Sequence, residues 1–98
     1  MDVAIPTTYR LYQNYPNPFN PTTNIQFDLP EQTEVKLLIY DILGNRVQEL
    51  FTESLPAGNH TVSWDGTDQH GHPVSSGIYF YVLQSHDTRI VGRMILQK

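Results

Sequence analysis

Apolar residues recur at every second position in several short runs of this chain, and no longer stretch shows the three-and-four spacing of an amphipathic helix. A period of two belongs to β-strands, whose side chains point alternately to opposite faces, so the expected class is all-β. Residues 22–29 place Ile25, Phe27 and Leu29 on one face and Asn24, Gln26 and Asp28 on the other, and Pro30 ends the run. Val35, Leu37 and Ile39 repeat the alternation. Leu38 and Tyr40 make their second face apolar as well, which predicts a central strand. Gly44-Asn45 can supply positive φ and turn that strand into residues 46–51 as a hairpin.

Leu55-Pro56-Ala57-Gly58 leads into residues 59–64, with Val62 and Trp64 on one face. Ile78-Tyr79-Phe80-Tyr81-Val82-Leu83 is so rich in aromatic and β-branched residues that a mid-sheet strand is expected. His86-Asp87-Thr88 turns it into residues 89–97, where Ile90, Met94 and Leu96 share a face with Gly92. With a short strand at residues 9–13, the chain carries about seven strands at the turn spacing of an immunoglobulin-like antiparallel β-sandwich. No disulfide can brace the two sheets, because there is no cysteine; Trp64 and the aromatic strand must supply the packing.

A length of 98 residues suits one domain with one core. Residues 1–8 read as a linker tail from an upstream cargo and residues 9–98 as the domain. Six basic and ten acidic residues give a net charge of −4 without blocks, so the basic stripe that nucleic acid requires is missing. No apolar run approaches the ~20 residues of a membrane span, and no membrane insertion is expected.

Catalysis has little to rest on. Ser63, Ser75 and Ser76 lie outside any Gly-x-Ser-x-Gly elbow, and the carboxylates are scattered. Asp65-Gly66-Thr67-Asp68 has a faint likeness to a calcium loop, but His70, Gly71 and His72 stand where oxygen ligands would continue, so Asp65 and Asp68 are expected to bond backbone N–H groups. The four histidines lack zinc-site spacing. No catalytic residue, metal or cofactor is assigned. Tyr15-Pro16-Asn17-Pro18-Phe19-Asn20-Pro21 is stiffened by three prolines. It reads either as a recognition segment or, with more weight, as a loop clamped across the sandwich end by Tyr15 and Phe19. Exposed tyrosines could stack on sugars, but Tyr79 and Tyr81 sit in the most apolar strand and are expected to be structural.

Four segments in order resemble the type A C-terminal sorting domain of proteins exported by the type IX secretion system. Leu11-Tyr12-Gln13-Asn14-Tyr15-Pro16-Asn17-Pro18-Phe19-Asn20-Pro21-Thr22-Thr23 is similar to its opening motif. Residues 35–40 with Asp41-Ile42-Leu43-Gly44-Asn45-Arg46-Val47 resemble the second, and Trp64-Asp65-Gly66-Thr67-Asp68 through Ser76-Gly77-Ile78-Tyr79-Phe80-Tyr81 the third. Arg93-Met94-Ile95-Leu96-Gln97-Lys98 resembles the closing strand. Many members carry lysines where this chain has Gly92-Arg93, and the same motifs resemble the immunoglobulin-like module of flagellar hook-capping proteins. The position of the motifs at the end of the chain favours sorting.

The resemblance implies a non-catalytic, monomeric domain behind a larger cargo. Its implied partners are an outer-membrane translocon and a sortase-like peptidase, met in the periplasm before the cargo reaches the cell surface or the medium. The implied recognition residues are Asn17, Pro18, Phe19, Asn20, Pro21, Gly92, Arg93, Met94, Ile95, Leu96 and Lys98. The alternative is a carbohydrate-binding or structural accessory module of a secreted multidomain enzyme.

Overall fold

In the computed structural model, which describes residues 5–98, the alternating runs become seven strands in two sheets. They are β1 (Arg10–Leu11), β2 (Thr23–Leu29), β3 (Thr33–Asp41), β4 (Arg46–Leu55), β5 (Gly58–Trp64), β6 (Gly77–Gln84) and β7 (Arg89–Leu96). One sheet runs β1-β2-β5 and the other β4-β3-β6-β7, with every pair antiparallel. The expected immunoglobulin-like sandwich is borne out, including the central places of β3 and β6. Met1 to Ala4, half of the expected linker, lie outside the described residues.

The core follows from the pleat. Ile25, Phe27 and Leu29 of β2 face Val35, Leu37 and Ile39 of β3, and Tyr79, Tyr81 and Leu83 of β6 join them with Met94 and Leu96 of β7. Trp64 closes one end, edge-on to Tyr79 at 5.4 Å and tilted against Phe19 at 5.7 Å. Aromatic packing thus stands in for the missing disulfide, each buried ring contributing about 2 to 3 kcal/mol.

Local details differ from the expectation in three places. The first strand shrinks to Arg10–Leu11, because regular pairing with β2 is interrupted at Gln13 and Asn14, which bond Arg93 O and the Tyr81 hydroxyl, before Tyr15 pairs with Asn24. β4 continues to Leu55, with register shifts opposite Leu37/Leu38 and Ile39/Tyr40. Such bulges let an edge strand twist and bring Val47 and Leu50 onto the core. In the hairpin turn only Gly44 takes positive φ (85°). Asn45 does not, because Asp41 organises the turn: its Oδ1 accepts from Leu43 N (3.0 Å) and Asn45 N (2.9 Å).

Register sorts the connections to two ends. The chain enters at the near end, where Tyr9 Oη lies 3.3 Å from Ser85 Oγ beside the β6–β7 turn. At the far end are the turn at residues 41–45, the loop at residues 65–76, the proline segment and the last residues of the chain.

Candidate functional site

The proline segment is a clip that joins the two sheets at the far end. It begins on the small sheet, where Tyr12 N donates to Gln26 O (3.0 Å) and Tyr15 exchanges two bonds with Asn24. It then crosses to the large sheet, where Phe19 N donates to Ile95 O (3.0 Å) and Phe19 O accepts from Gln97 N (2.9 Å). The peptide bonds preceding Pro16, Pro18 and Pro21 are cis. Asn17 Oδ1 accepts from Ile95 N, and Gln13 Nε2 donates to Arg93 O, both at 3.0 Å. The outward edge of β7 is therefore covered from Arg93 to Gln97. An edge strand left bare there would invite pairing with another chain.

A buried polar knot holds the crossover. Asn14 N donates to the Tyr81 hydroxyl (3.0 Å), which itself donates to Tyr12 O (2.8 Å). Asn14 Nδ2 donates to Thr23 Oγ1 (2.9 Å) and Pro16 O (3.2 Å), and Thr23 Oγ1 donates to Pro16 O (2.9 Å). Among the described residues no buried side-chain nitrogen or oxygen lacks a partner. Burial pushes the Tyr81 phenol above its ordinary 10.0, because the phenolate would lose water.

Gly92 makes the knot possible. It sits directly across from Tyr81, and a Cβ there would lie 2.2 Å from the Tyr81 ring. The ring passes over Gly92 to reach the clip, as aromatic side chains do over strand glycines.

The loop at residues 65–76 protects the opposite edge. Gln69 N donates to Val47 O (3.1 Å) and Gln48 Nε2 to Asp68 O (2.8 Å), so the loop lies along β4. Asp68 Oδ1 accepts from His70 N (2.9 Å) and His72 N (3.0 Å). These bonds, that of His72 first, hold its carboxyl below the usual 3.8. The expected backbone role of Asp68 is thus observed. Asp65 instead accepts the Thr67 hydroxyl (2.6 Å). Among the described residues no three His, Asp or Glu side chains converge as metal ligands.

Of the residues assigned to recognition, Phe19, Met94 and Leu96 face the core and Gly92 lies under Tyr81. Asn17, Pro18, Asn20, Pro21, Arg93, Ile95 and Lys98 are exposed, and the fold gathers most of them at the far end. Lys98 is docked there: its N donates to Ser76 Oγ (3.0 Å) and its ammonium to Val74 O. The expected clamp holds for Phe19 but not for Tyr15, which is 78% exposed because its Cβ lies on the outer side of the small sheet. Tyr79 and Tyr81 point inward, so they form no sugar platform.

Two features escaped the sequence reading. Ile42 and Leu43, at the tip of the β3–β4 turn, are 64% and 82% exposed. The outer face of the large sheet also carries an apolar strip, since Leu38 pairs with Val82 and Tyr40 with Phe80 across β3 and β6. The signal was the apolar second face of β3; reading it together with Phe80 and Val82 would have found the strip.

The chain resembles parts of several solved proteins. It matches dimeric latent PorU from Porphyromonas gingivalis over 98% of its length, with a TM-score of 0.72 and 20% identity. It matches PorZ, an essential surface component of the type IX secretion system of the same organism, over 90%, with a TM-score of 0.59 and 21% identity. FlgD from P. aeruginosa matches over 76%, with a TM-score of 0.61 and 24% identity. The chain spans 10%, 11% and 60% of these proteins respectively, and at such identities the likeness is one of fold. A search of curated proteins by sequence finds no match. The family model of the FlgD Ig-like domain matches residues 14–88, from Asn14 of the clip through the β6–β7 turn, and the chain belongs to that family.

Proposed function

We propose that this domain is a non-catalytic sorting module that directs a larger cargo through the type IX secretion system. The observation that carries the reading is spatial. The clip, the Asp41 turn, the loop at residues 65–76 and the end of the last strand, far apart in sequence, form one end of the molecule, remote from Tyr9 and the β6–β7 turn. A cargo attached at the near end leaves that surface free for a translocon and a sortase-like peptidase. The fold likeness to PorU and PorZ, in each of which the match is about a tenth of a longer chain, supports a modular role at the bacterial surface. Passage through the periplasm to the cell surface or medium belongs to the same proposal, as does recognition through the exposed Asn20, Arg93 and Lys98. Absence of catalysis is supported by how the far end uses its polar groups, since the side chains of Asn14, Asn17, Asp41 and Asp68 are engaged by backbone.

The test is export of a full-length cargo. Deleting residues 90–98 removes Met94 and Leu96 from the core, so a milder variant is needed beside it. Replacing Asn20, Arg93 and Lys98 together by alanine should leave the melting temperature nearly unchanged and retain the cargo in the periplasm. Normal export of both variants refutes sorting. A lower cargo melting temperature with normal export would point instead to a structural accessory role.

A further inference from the structure

The outer face of the large sheet is unlike a solvated sheet face. Its cross-strand rows read Arg46-Tyr40-Phe80-Arg93, then Glu49-Leu38-Val82-Val91, then Lys36-Gln84-Arg89. An apolar strip thus runs between cations. It extends toward the far end through Ile78 paired with Ile95, and an open groove of about 320 Å³ between Tyr40, Ile42, Phe80, Val82, Arg89 and Val91 joins it to the turn. Leu38 and Val82 at the centre of the strip are themselves buried, so the apolar surface open to solvent consists of Val91, Ile95 and the Ile42–Leu43 tip, flanked by the half-buried Tyr40, Ile78 and Phe80. Antiparallel sheets usually present polar residues on such a side, and clustered exposed apolar residues mark a contact surface.

Charge selects the partner. Four of the six Lys and Arg residues lie on this face, although the chain carries a net charge of −4. Glu34 and Glu49 share the face, Glu49 lying 3.9 Å from Arg46, and Asp41 at the rim of the groove holds the turn's N–H groups, so the four cations outnumber the face's two carboxylates. Depth selects it further. Ile42 and Leu43 are both exposed on a tight turn, aliphatic side chains that a soft apolar phase can take in without a matching cavity.

We propose that this face and the Ile42–Leu43 tip dock on an anionic lipid surface, the two aliphatic side chains entering the acyl boundary while Arg46 and Arg93 meet headgroup phosphates. Peripheral binding of this kind takes two signals, apolar insertion and a basic patch, and both are present. Tyr40 and Phe80, half-buried beside Arg46 and Arg93, are rings of the kind that favour the interface. The inference is independent of the sorting role: vesicle binding and export are separate measurements, and either can fail alone.

The probe is co-sedimentation of the 98-residue chain with vesicles of phosphatidylcholine containing about a third phosphatidylglycerol, against pure phosphatidylcholine. Binding is expected only to the anionic vesicles and should weaken with added salt. The double change Ile42→Ser, Leu43→Ser should reduce the partition at least about tenfold, from the lost apolar transfer. Arg46→Gln and Arg93→Gln should each reduce it about fivefold. All four residues are exposed, so an unchanged melting temperature shows that each variant is folded. Failure to bind anionic vesicles overturns the proposal, as does binding that ignores the tip. Tip-dependent self-association without vesicles, seen by sedimentation velocity, would assign the face to a second copy and overturn it too.

Discussion

The clip at residues 14–21 and the turn at residues 41–45 occupy the same end of the sandwich, and each carries large apolar side chains in a loop. In the clip, Phe19 is 2% exposed and packs on Trp64, while the backbone closes both sheets together. In the turn, Ile42 and Leu43 touch solvent, and the local hydrogen bonds all return to Asp41. The clip's side chains therefore hold the fold, whereas the turn's side chains are available to something outside it. A motif-bearing loop is not a binding loop merely because it is stiff; what decides is whether its side chains are already taken.

Truncation should separate the two regions most sharply. Phe19→Ala leaves a cavity beside Trp64 and should cost about 3 to 5 kcal/mol, seen as a large fall in the denaturant midpoint. Ile42→Ser in the turn should stay within about 0.5 kcal/mol of the parent. Equal losses at the two sites would erase the distinction.

The next largest effect lies beneath the clip. Gly92→Ala drives a methyl into the Tyr81 ring and should cost about 1 to 3 kcal/mol through forced displacement. The clash is specific, so in a Tyr81→Ala background the same change at Gly92 should cost little. A double-mutant cycle by chemical denaturation measures the coupling, and additivity would show that Gly92 is small for another reason.

Removing one oxygen tests the polar knot alone. Tyr81→Phe leaves Asn14 N and Tyr12 O without their partner and should cost about 1 to 3 kcal/mol. The phenol also sets a high-pH limit. Its folded pKa is raised above 10.0, so the stability it contributes is complete below pH 10.0 and is lost as pH rises through the folded value. Tyr81→Phe should start lower and show less decline in that alkaline range.

The strands and the clip were not equally legible in the sequence. Alternation located β2, β3, β5, β6 and β7 because each has one face in a dry core, and that requirement is written residue by residue. It failed for β1, whose pairing is cut short where Gln13 and Asn14 turn to Arg93 and Tyr81, a tertiary event with no period of its own. The bulges of β4 were hidden for the same reason, since they depend on the partner's register. Phe19 could be guessed as an anchor, but Asn14 looked like any loop amide until Tyr81 and Thr23 were brought to it from strands far along the chain. The exposed tip was not legible, because two aliphatic residues ahead of a Gly44-Asn45 turn look the same in sequence whether they fold onto the sheet or project from it.

The smallest effect concerns the two aspartates that organise far-end loops, and it distinguishes them from the clip by pH. Asp41 has its carboxyl held below the usual 3.8, first by the backbone N–H of Asn45 and then by the Asn45 side chain and Leu43 N. Asp68 is lowered in the same sense by His72 N and His70 N. A depressed folded pKa means stability that is present above pH 3.8 and is lost as pH falls through the lower folded value. The parent should therefore show a shallow acid decline in melting temperature, flattened in Asp41→Asn and Asp68→Asn, each of which should already lie slightly below the parent at neutral pH. Because both carboxylates are solvent-accessible, added salt should shrink the difference. The bonds of residues 14–21 contain no carboxylate, so Tyr81→Phe should keep the full acid decline while showing less of the alkaline one. An acid limb that follows Tyr81, or one untouched by both aspartate changes, would mean that the loops and the clip melt as a single unit.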